Sequence, residues 1–190
     1  MSYQTELIDR IKDSNAWPSF ERPKYLNELN NLANNAIEKN TIEGYLAALL
    51  IYHQLCEEMV KVLLDDTHFF IQLSVFPNEI LFPRKGKTMF GQILDELKST
   101  VSFDGKDEFI EKCHQINRLR IEIVHKLMQQ VTLKSTKARL EKAQTLFEKI
   151  FELFDTAHDS WRVTFGDFQK DIDWDDRQKK CDCYRSSIYH

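Results

Sequence analysis

The sequence contains little glycine and little proline, with 5 and 4 residues among 190. β-Sandwiches and barrels use these residues at their many turns, so their scarcity argues against both architectures. Neither G-x-G-x-x-G nor the Walker A sequence occurs, which excludes the common glycine-rich phosphate-binding loops. Cations are not in excess, because 26 Lys and Arg stand against 30 Asp and Glu, for a net charge of −4. A strongly basic nucleic-acid coat protein is thereby excluded, although a local basic site is not.

Long apolar runs are also missing, and no secretory leader is predicted. The longest uncharged apolar stretch, residues 45–56, is shorter than the about 20 residues of a membrane-spanning helix. The N-terminus has no basic region followed by an apolar one, so no signal peptide is predicted. The four cysteines show no C-x-x-C spacing and are predicted to be reduced thiols. We therefore expect a cytoplasmic protein with no membrane partner.

Helical periodicity dominates the chain. Asn40 followed by Glu43 is typical of a helix N-terminus, and the helix that it opens is predicted to run to Pro77. Gly105 marks a turn before a second long helix. The predicted helices cover residues 3–13, 24–39, 40–76, 88–98, 106–130 and 136–165, with loops at 14–23, 77–87 and 132–135. Three long amphipathic helices with shorter ones predict an all-α bundle.

The predicted organisation has three parts. Residues 1–39 form an N-terminal helical extension, residues 40–165 form the bundle, and residues 166–190 form an acidic and then mixed C-terminal tail. Each of the first two long helices has one polar residue on its apolar stripe, His53 in one and Arg120 in the other. A buried arginine needs an acidic partner or a solvent-filled cleft, because an unpaired charge in a core is unfavourable. Glu57 and Glu58 are the predicted partners.

The segment INRLRIEIVH resembles a known motif. Its Arg120-x4-His125, or Arg118-x6-His125, is similar to the R-x(4–6)-H motif of HEPN domains, which are helical bundles. The upstream YHQLCEEMVKVLL is similar to the family's helix in which a glutamate precedes a lysine, and TMFGQIL resembles a segment between them. The resemblance covers about residues 40–155. It implies a homodimer whose two motifs line one cleft and, in active members, metal-independent RNA cleavage in toxin or antiviral defence systems.

These residue types suit that chemistry. A histidine titrates near neutral pH and can move the proton of a 2′-hydroxyl or of the leaving 5′-oxygen. An arginine can hold the phosphate and offset its developing charge. Arg118 and His125 share a face of an α-helix, whereas Arg120 is displaced by about 140° from His125. Either arginine can be the motif arginine, and Arg120 is favoured because it lies on the apolar stripe of its helix.

The predicted site combines three groups of residues. The catalytic group has His125 as acid and base and Arg120 as phosphate clamp, with Arg118 and Glu122 beside them. The supporting residues are Glu57, Glu58 and Asn117, and RNA contacts are predicted at Arg84, Lys85 and Lys87. No metal and no cofactor is predicted.

Other functions fit some of the same residues. The HEPN family often has a small polar residue after the motif arginine, whereas Ile121 follows Arg120 here. This departure and the acidic charge favour a non-catalytic module that binds a protein partner such as an antitoxin or regulator. Nucleotide binding in the same cleft is a third interpretation.

Metal sites are weaker interpretations. Glu111-x-x-His114 and Glu122-x-x-His125 have di-iron spacing but lie on one predicted helix, so they cannot share a metal. The remaining combinations are unspecific: His53 and Cys56 with Cys113 and His114, and Cys181-x-Cys183. Buried cysteines are more commonly core residues, and we expect His53 to be hydrogen-bonded inside the bundle.

Overall fold

The computed structural model describes residues 2–82, 89–125, 133–171 and 174, with the backbone alone at 125, 133–136 and 171. All regular structure in these ranges is helical, which confirms the predicted all-α class. The helices are α1 Tyr3–Lys12, α2 Pro23–Glu38, α3 Ile42–Val75, α4 Phe90–Lys98, α5 Lys106–Arg120, α6 Leu133–Leu140 and α7 Lys142–Asp171, with a 3₁₀ turn at Ser14–Ala16 and a π-helical segment at Ile121–His125. None of the helices in the described ranges is both long and apolar enough to cross a membrane.

Helix α3 is the centre of the bundle and packs against α2, α4, α5, α6 and α7. Its predicted stripe is buried from Leu49 through His53 and Cys56 to Leu63, while Leu46 is partly exposed. Helix α7 packs against α3 with its own buried apolar stripe. The residues of this stripe are those that the helical spacing of the sequence predicts. That stripe comprises Leu140 from α6 and Ala143, Phe147, Ile150, Phe154, Ala157 and Trp161.

The start of α3 differs by one residue from the prediction. Thr41, not Asn40, is the N-cap, and its side chain accepts a hydrogen bond from the Gly44 N–H at 3.1 Å. Asn40 instead takes a left-handed conformation with φ of 53°, which asparagine tolerates better than most residues. Its Oδ1 accepts from the Tyr45 hydroxyl at 3.1 Å and from Lys137 Nζ at 2.7 Å. Asn40 therefore joins the turn to α6.

The predicted helix over 136–165 was wrong at both ends. Helix α6 already begins at Leu133, inside the predicted connection, and a turn at Glu141 separates it from α7. The Glu141 N–H still donates to the Lys137 carbonyl at 3.0 Å, so the interruption is local. Helix α7 continues through Gly166 to Asp171 because Phe165 is buried and Phe168 packs on the core.

The N-terminal segment and the end of α7 both pack on the bundle. Leu7, Ile8 and Ile11 of α1 belong to the same core cluster as α3 and α7. Trp174 is buried, with its Nε1 donating to the Phe168 carbonyl at 3.0 Å. Residues 172, 173 and 175–190, which include most of the predicted tail with Cys181 and Cys183, lie outside the described residues.

Candidate functional site

The predicted motif lies where α5 changes its winding. Asn117, Arg118 and Arg120 occupy the last turn of α5, and the π-helical segment follows directly with Glu122 and the backbone of His125. β-Branched residues at 121, 123 and 124 have weak α-helical preference, which is compatible with this change. π-Helical turns occur frequently at functional sites. The side chain of His125 lies outside the described residues.

Asn117 connects the end of α5 to the middle of α3. Its Oδ1 lies 3.0 Å from Nε2 of His53, whose side chain is buried against the edge of the Phe90 ring at 4.8 Å between centroids. Burial lowers the pKa of His53 below its ordinary value, and the charge of Arg120 lowers it further, whereas the Asn117 hydrogen bond and Glu57 raise it. The predicted interior hydrogen bond of His53 is thereby confirmed. Asn117, His53 and Arg120 form one polar cluster between α3 and α5.

Two motif residues differ in their exposure. Arg120 is partly buried and Arg118 is exposed, so the α5 stripe is less enclosed at position 120 than the sequence predicts. The stripe residues before it, Phe109, Cys113 and Ile116, are buried, as is Ile123 beyond it. Arg120 is the last residue of α5 and is only partly buried, so its guanidinium can remain near solvent. It therefore does not require an acidic partner.

The predicted acidic partners of the arginine bind a different cation. Lys61 Nζ lies 2.9 Å from Glu57 Oε1 and 2.8 Å from Glu58 Oε1, one turn along α3. Within the described ranges, neither carboxylate makes an ion pair with Arg120. The pairing of Glu57 or Glu58 with Arg120 is therefore corrected: the local i to i+3 and i+4 geometry of α3 favours Lys61.

Glu122 holds the π-helical segment against α6. Its Oε2 accepts from Nη2 of Arg139, and both side chains are partly exposed. The contact between Glu122 and Arg139 therefore joins two elements that lie on either side of residues 126–132 in the chain. Glu122, which is predicted to lie in the catalytic group, therefore has a structural partner in Arg139.

The predicted RNA contacts Arg84, Lys85 and Lys87 lie outside the described residues. The described chain resumes at Met89, which is 71% exposed, and the next residue, Phe90, contacts His53 of the polar cluster. The sequence did not show this contact, because Phe90 and His53 are 37 residues apart.

The weaker metal interpretations gain no support from the geometry. Among the residues that the structure describes, no three or more His, Cys, Asp or Glu side chains are placed to hold a metal ion. Cys56 and Cys113 are buried free thiols, and burial raises the pKa of each. They are core residues, as the sequence predicts.

A buried ionic cluster was missed by the sequence reasoning. Asp66 of α3 is fully buried and accepts from His158 Nδ1 at 2.8 Å and from Arg162 Nη2 at 2.9 Å, both on α7. Arg162 also donates to the carbonyl of Pro18. Burial raises the pKa of Asp66, although both partners lower it. The cluster joins the N-terminal segment to α3 and α7.

A signal for this cluster was present in the sequence. Asp66 falls three residues after the buried Leu63, on the continuing apolar stripe of α3. A carboxylate at such a position needs a cationic partner, for the same reason that applies to an arginine on an apolar stripe. The partners on α7 could not be identified, because they are 92 and 96 residues away.

The chain was compared with family models, curated proteins and solved structures. No family model matches it, and neither a curated protein nor a solved structure gives a significant match.

Proposed function

We propose that the protein is a metal-independent ribonuclease or RNA-binding protein of the HEPN type. The observation that carries the proposal is the polar cluster of Asn117, His53 and Arg120 at the point where α5 passes into the π-helical segment that ends at His125. The cluster includes a partly exposed guanidinium in the last turn of α5, and the motif histidine follows five residues later at the end of the π-helical segment. The acidic net charge of the chain does not oppose RNA binding, because a local cation suffices to bind a phosphate.

The winding of the backbone favours Arg120 over Arg118. In a continuous α-helix, Arg120 and His125 would be displaced by about 140°. Residues Ile121–His125 are π-helical, and a π-helix hydrogen-bonds residues five apart, which places positions five apart about one turn from each other. Positions 120 and 125 thereby approach a common face. The π-helical segment thus supports the shorter spacing of the motif.

The proposed reaction needs two proton transfers and no metal. The RNA 2′-oxygen attacks phosphorus, the bond to the 5′-oxygen breaks, and a 2′,3′-cyclic phosphate forms. One histidine removes the 2′-hydroxyl proton and another donates a proton to the leaving 5′-oxygen. In a homodimer, the two copies of His125 would supply these two groups, and Arg120 would bind the phosphate.

Exposed apolar side chains lie beside the motif. Ile121 and Val124 of the π-helical segment are 40% and 38% exposed. Burying such side chains against a second copy would be favourable. This exposure supports the homodimer that the proposed reaction requires.

The test is cleavage of mixed single-stranded and transfer RNA by the pure protein in EDTA. We expect the wild type to cleave, and His125→Ala and Arg120→Ala to lose the activity. His114→Ala is the matched control, because it removes a histidine from the same helix, six residues before Arg120. Its activity should equal that of the wild type.

Retained cleavage in His125→Ala, with all proteins equally folded, would contradict the catalytic role of His125. Arg118→Ala decides between the two arginines. Full loss there together with normal activity in Arg120→Ala would assign the motif to Arg118.

A non-catalytic interaction module is the second candidate. It is favoured by the exposed Ile121, which stands where HEPN proteins often carry a small polar residue after the motif arginine. A chain of this kind would form a stable dimer and leave RNA intact. The cleavage assay distinguishes the two functions, and sedimentation analysis shows whether a protein that leaves RNA intact is still a dimer.

A further inference from the structure

The π-helical segment at the motif is attached to the rest of the molecule at two neighbouring positions. Ile123 is buried in the core, and the preceding Glu122 is held by Arg139 of α6. The flanking Ile121 and Val124 are among the exposed apolar side chains. Among the described side chains of this segment, those of Glu122 and Ile123 therefore attach it most closely.

Helix α6 is a fixed support for this contact. Its Leu140 is buried, and its Lys137 Nζ donates to Asn40 Oδ1 at 2.7 Å. Arg139 lies between these two anchors in the sequence and reaches the carboxylate of the π-helical segment. The segment is therefore held against the corner where α2 meets α3, and not only against its own helix.

An α-helix is the competing winding for Ile121–His125, because π-helices are rare and these residue types also occur in α-helices. The change of winding begins at Ile121, whose N–H donates to the carbonyls of both Asn117 and Arg118. In the π-winding, positions 120 and 125 approach a common face, whereas an α-winding would displace them by about 140°. Contacts that select the π-winding therefore determine how the motif is assembled.

We propose that Arg139 is a positioning residue for the motif, and that it acts through Glu122 to keep Ile121–His125 in the π-helical winding. Rewinding the segment as an α-helix would rotate it relative to α6 and draw the carboxylate away from the guanidinium. The ion pair opposes this rotation. Its role in catalysis rests on the proposed RNA cleavage, whereas its effect on the winding does not.

Hydrogen exchange of the full chain tests the effect on the winding. In Arg139→Met, the backbone amides of Ile121–His125 should exchange about two to five times faster, the factor for losing one partly exposed ion pair. Lys142→Met removes a cation from an exposed position at the start of α7 and should leave their exchange unchanged. The reversed pair, Glu122→Arg with Arg139→Glu, restores opposite charges and should return the exchange to the wild-type rate.

RNA cleavage tests the positioning role. Arg139→Met should lower kcat and leave the KM for RNA unchanged, because Arg120 is retained while the alignment of positions 120 and 125 is lost. Lys142→Met should cleave as the wild type does. A loss of packing alone would speed exchange throughout the bundle, whereas loss of the positioning contact should speed it in the segment.

The inference is overturned by unchanged exchange at Ile121–His125 in Arg139→Met, by an equal increase in Lys142→Met, or by failure of the reversed pair to restore the rate. Normal kcat in Arg139→Met beside an active wild type would overturn the positioning role. If the wild type leaves RNA intact, the proposed function fails, and the exchange rates still decide whether Arg139 holds the winding. Arg139→Gln is the second variant, for use if Arg139→Met does not fold.

Discussion

Two buried polar side chains, His53 and Lys106, show how single residues are accommodated in this core. His53 has Asn117 as partner, and the Lys106 ammonium donates to the carbonyls of Lys98, Thr100 and Val101 at 3.1, 2.8 and 3.0 Å. Lys106 thereby satisfies carbonyls at the C-terminal end of α4. The position of His53 on an apolar stripe was visible in the sequence, but the lysine's role depends on how the chain folds back after α4.

The state of His53 predicts a pH dependence of stability. Its pKa is lowered, mainly by burial, from the ordinary value of 6.5. The unfolded chain therefore binds a proton at a higher pH than the folded chain does. Consequently, the contribution of neutral His53 to the free energy of unfolding is fully present above about pH 6.5. The free energy of unfolding decreases as the pH falls below that value.

The variant His53→Gln checks this prediction, because glutamine can still donate to Asn117 Oδ1 and does not titrate. Urea denaturation at a series of pH values should show a weaker decrease below pH 6.5 in the variant. Some decrease should remain, since the pKa of His68 is also lowered by burial. Identical pH curves for the two proteins would contradict the assignment.

Helix ends were harder to predict than the helices themselves. The apolar stripes of α3, α5 and α7 follow from periodicity because side-chain burial repeats with the helical turn. The sequence predicts the cap of α3 at Asn40 instead of Thr41, because both residue types are good caps and only the backbone conformation separates them. The π-helical segment could not be predicted, because its sequence is compatible with an α-helix.

The pairing of α2 with α3 depends on a glycine. A Cβ at Gly44 would clash with the carbonyl oxygen of Ala36, where the end of α2 approaches the start of α3. Gly44→Ala should therefore lower the free energy of unfolding by about 2 kcal/mol or more, because one of the two helices must move. Urea denaturation measures this loss.

Gly91→Ala is the matched control for that substitution. Gly91 lies in α4, and a Cβ there would meet nothing within 4 Å. Alanine should stabilise this helix by about 0.5–1 kcal/mol. Similar effects of the two substitutions would contradict the close approach at Gly44.

At the scale of the whole molecule, the ionic cluster at Asp66 holds distant parts of the chain together. His158 and Arg162 reach Asp66 from positions 92 and 96 residues away, and Arg162 also binds the N-terminal segment at Pro18. Local patterns contain no information about such pairs. The all-α class was therefore predictable, whereas the interactions that join the N-terminal segment to α3 and α7 were not.

Removing the carboxylate should leave His158 Nδ1 and the Arg162 guanidinium without the oxygen atoms that they contact. Asp66→Ala is expected to lower the free energy of unfolding by about 3 kcal/mol, the lower end of the range for breaking a buried ion pair. Asp155→Ala, at an exposed position of α7, should change it by less than about 0.5 kcal/mol. A loss at Asp66 no larger than that at Asp155 would show that the cluster adds nothing.

The length and surroundings of α3 determine how the molecule opens. The helix has 34 residues, so it extends about 51 Å, and in the described part of the chain it packs against α2, α4, α5, α6 and α7. Its middle turns cannot exchange amide hydrogens with water until those neighbours separate. Partial opening must therefore begin at the periphery, and exposure of the centre of α3 requires cooperative unfolding of the whole bundle.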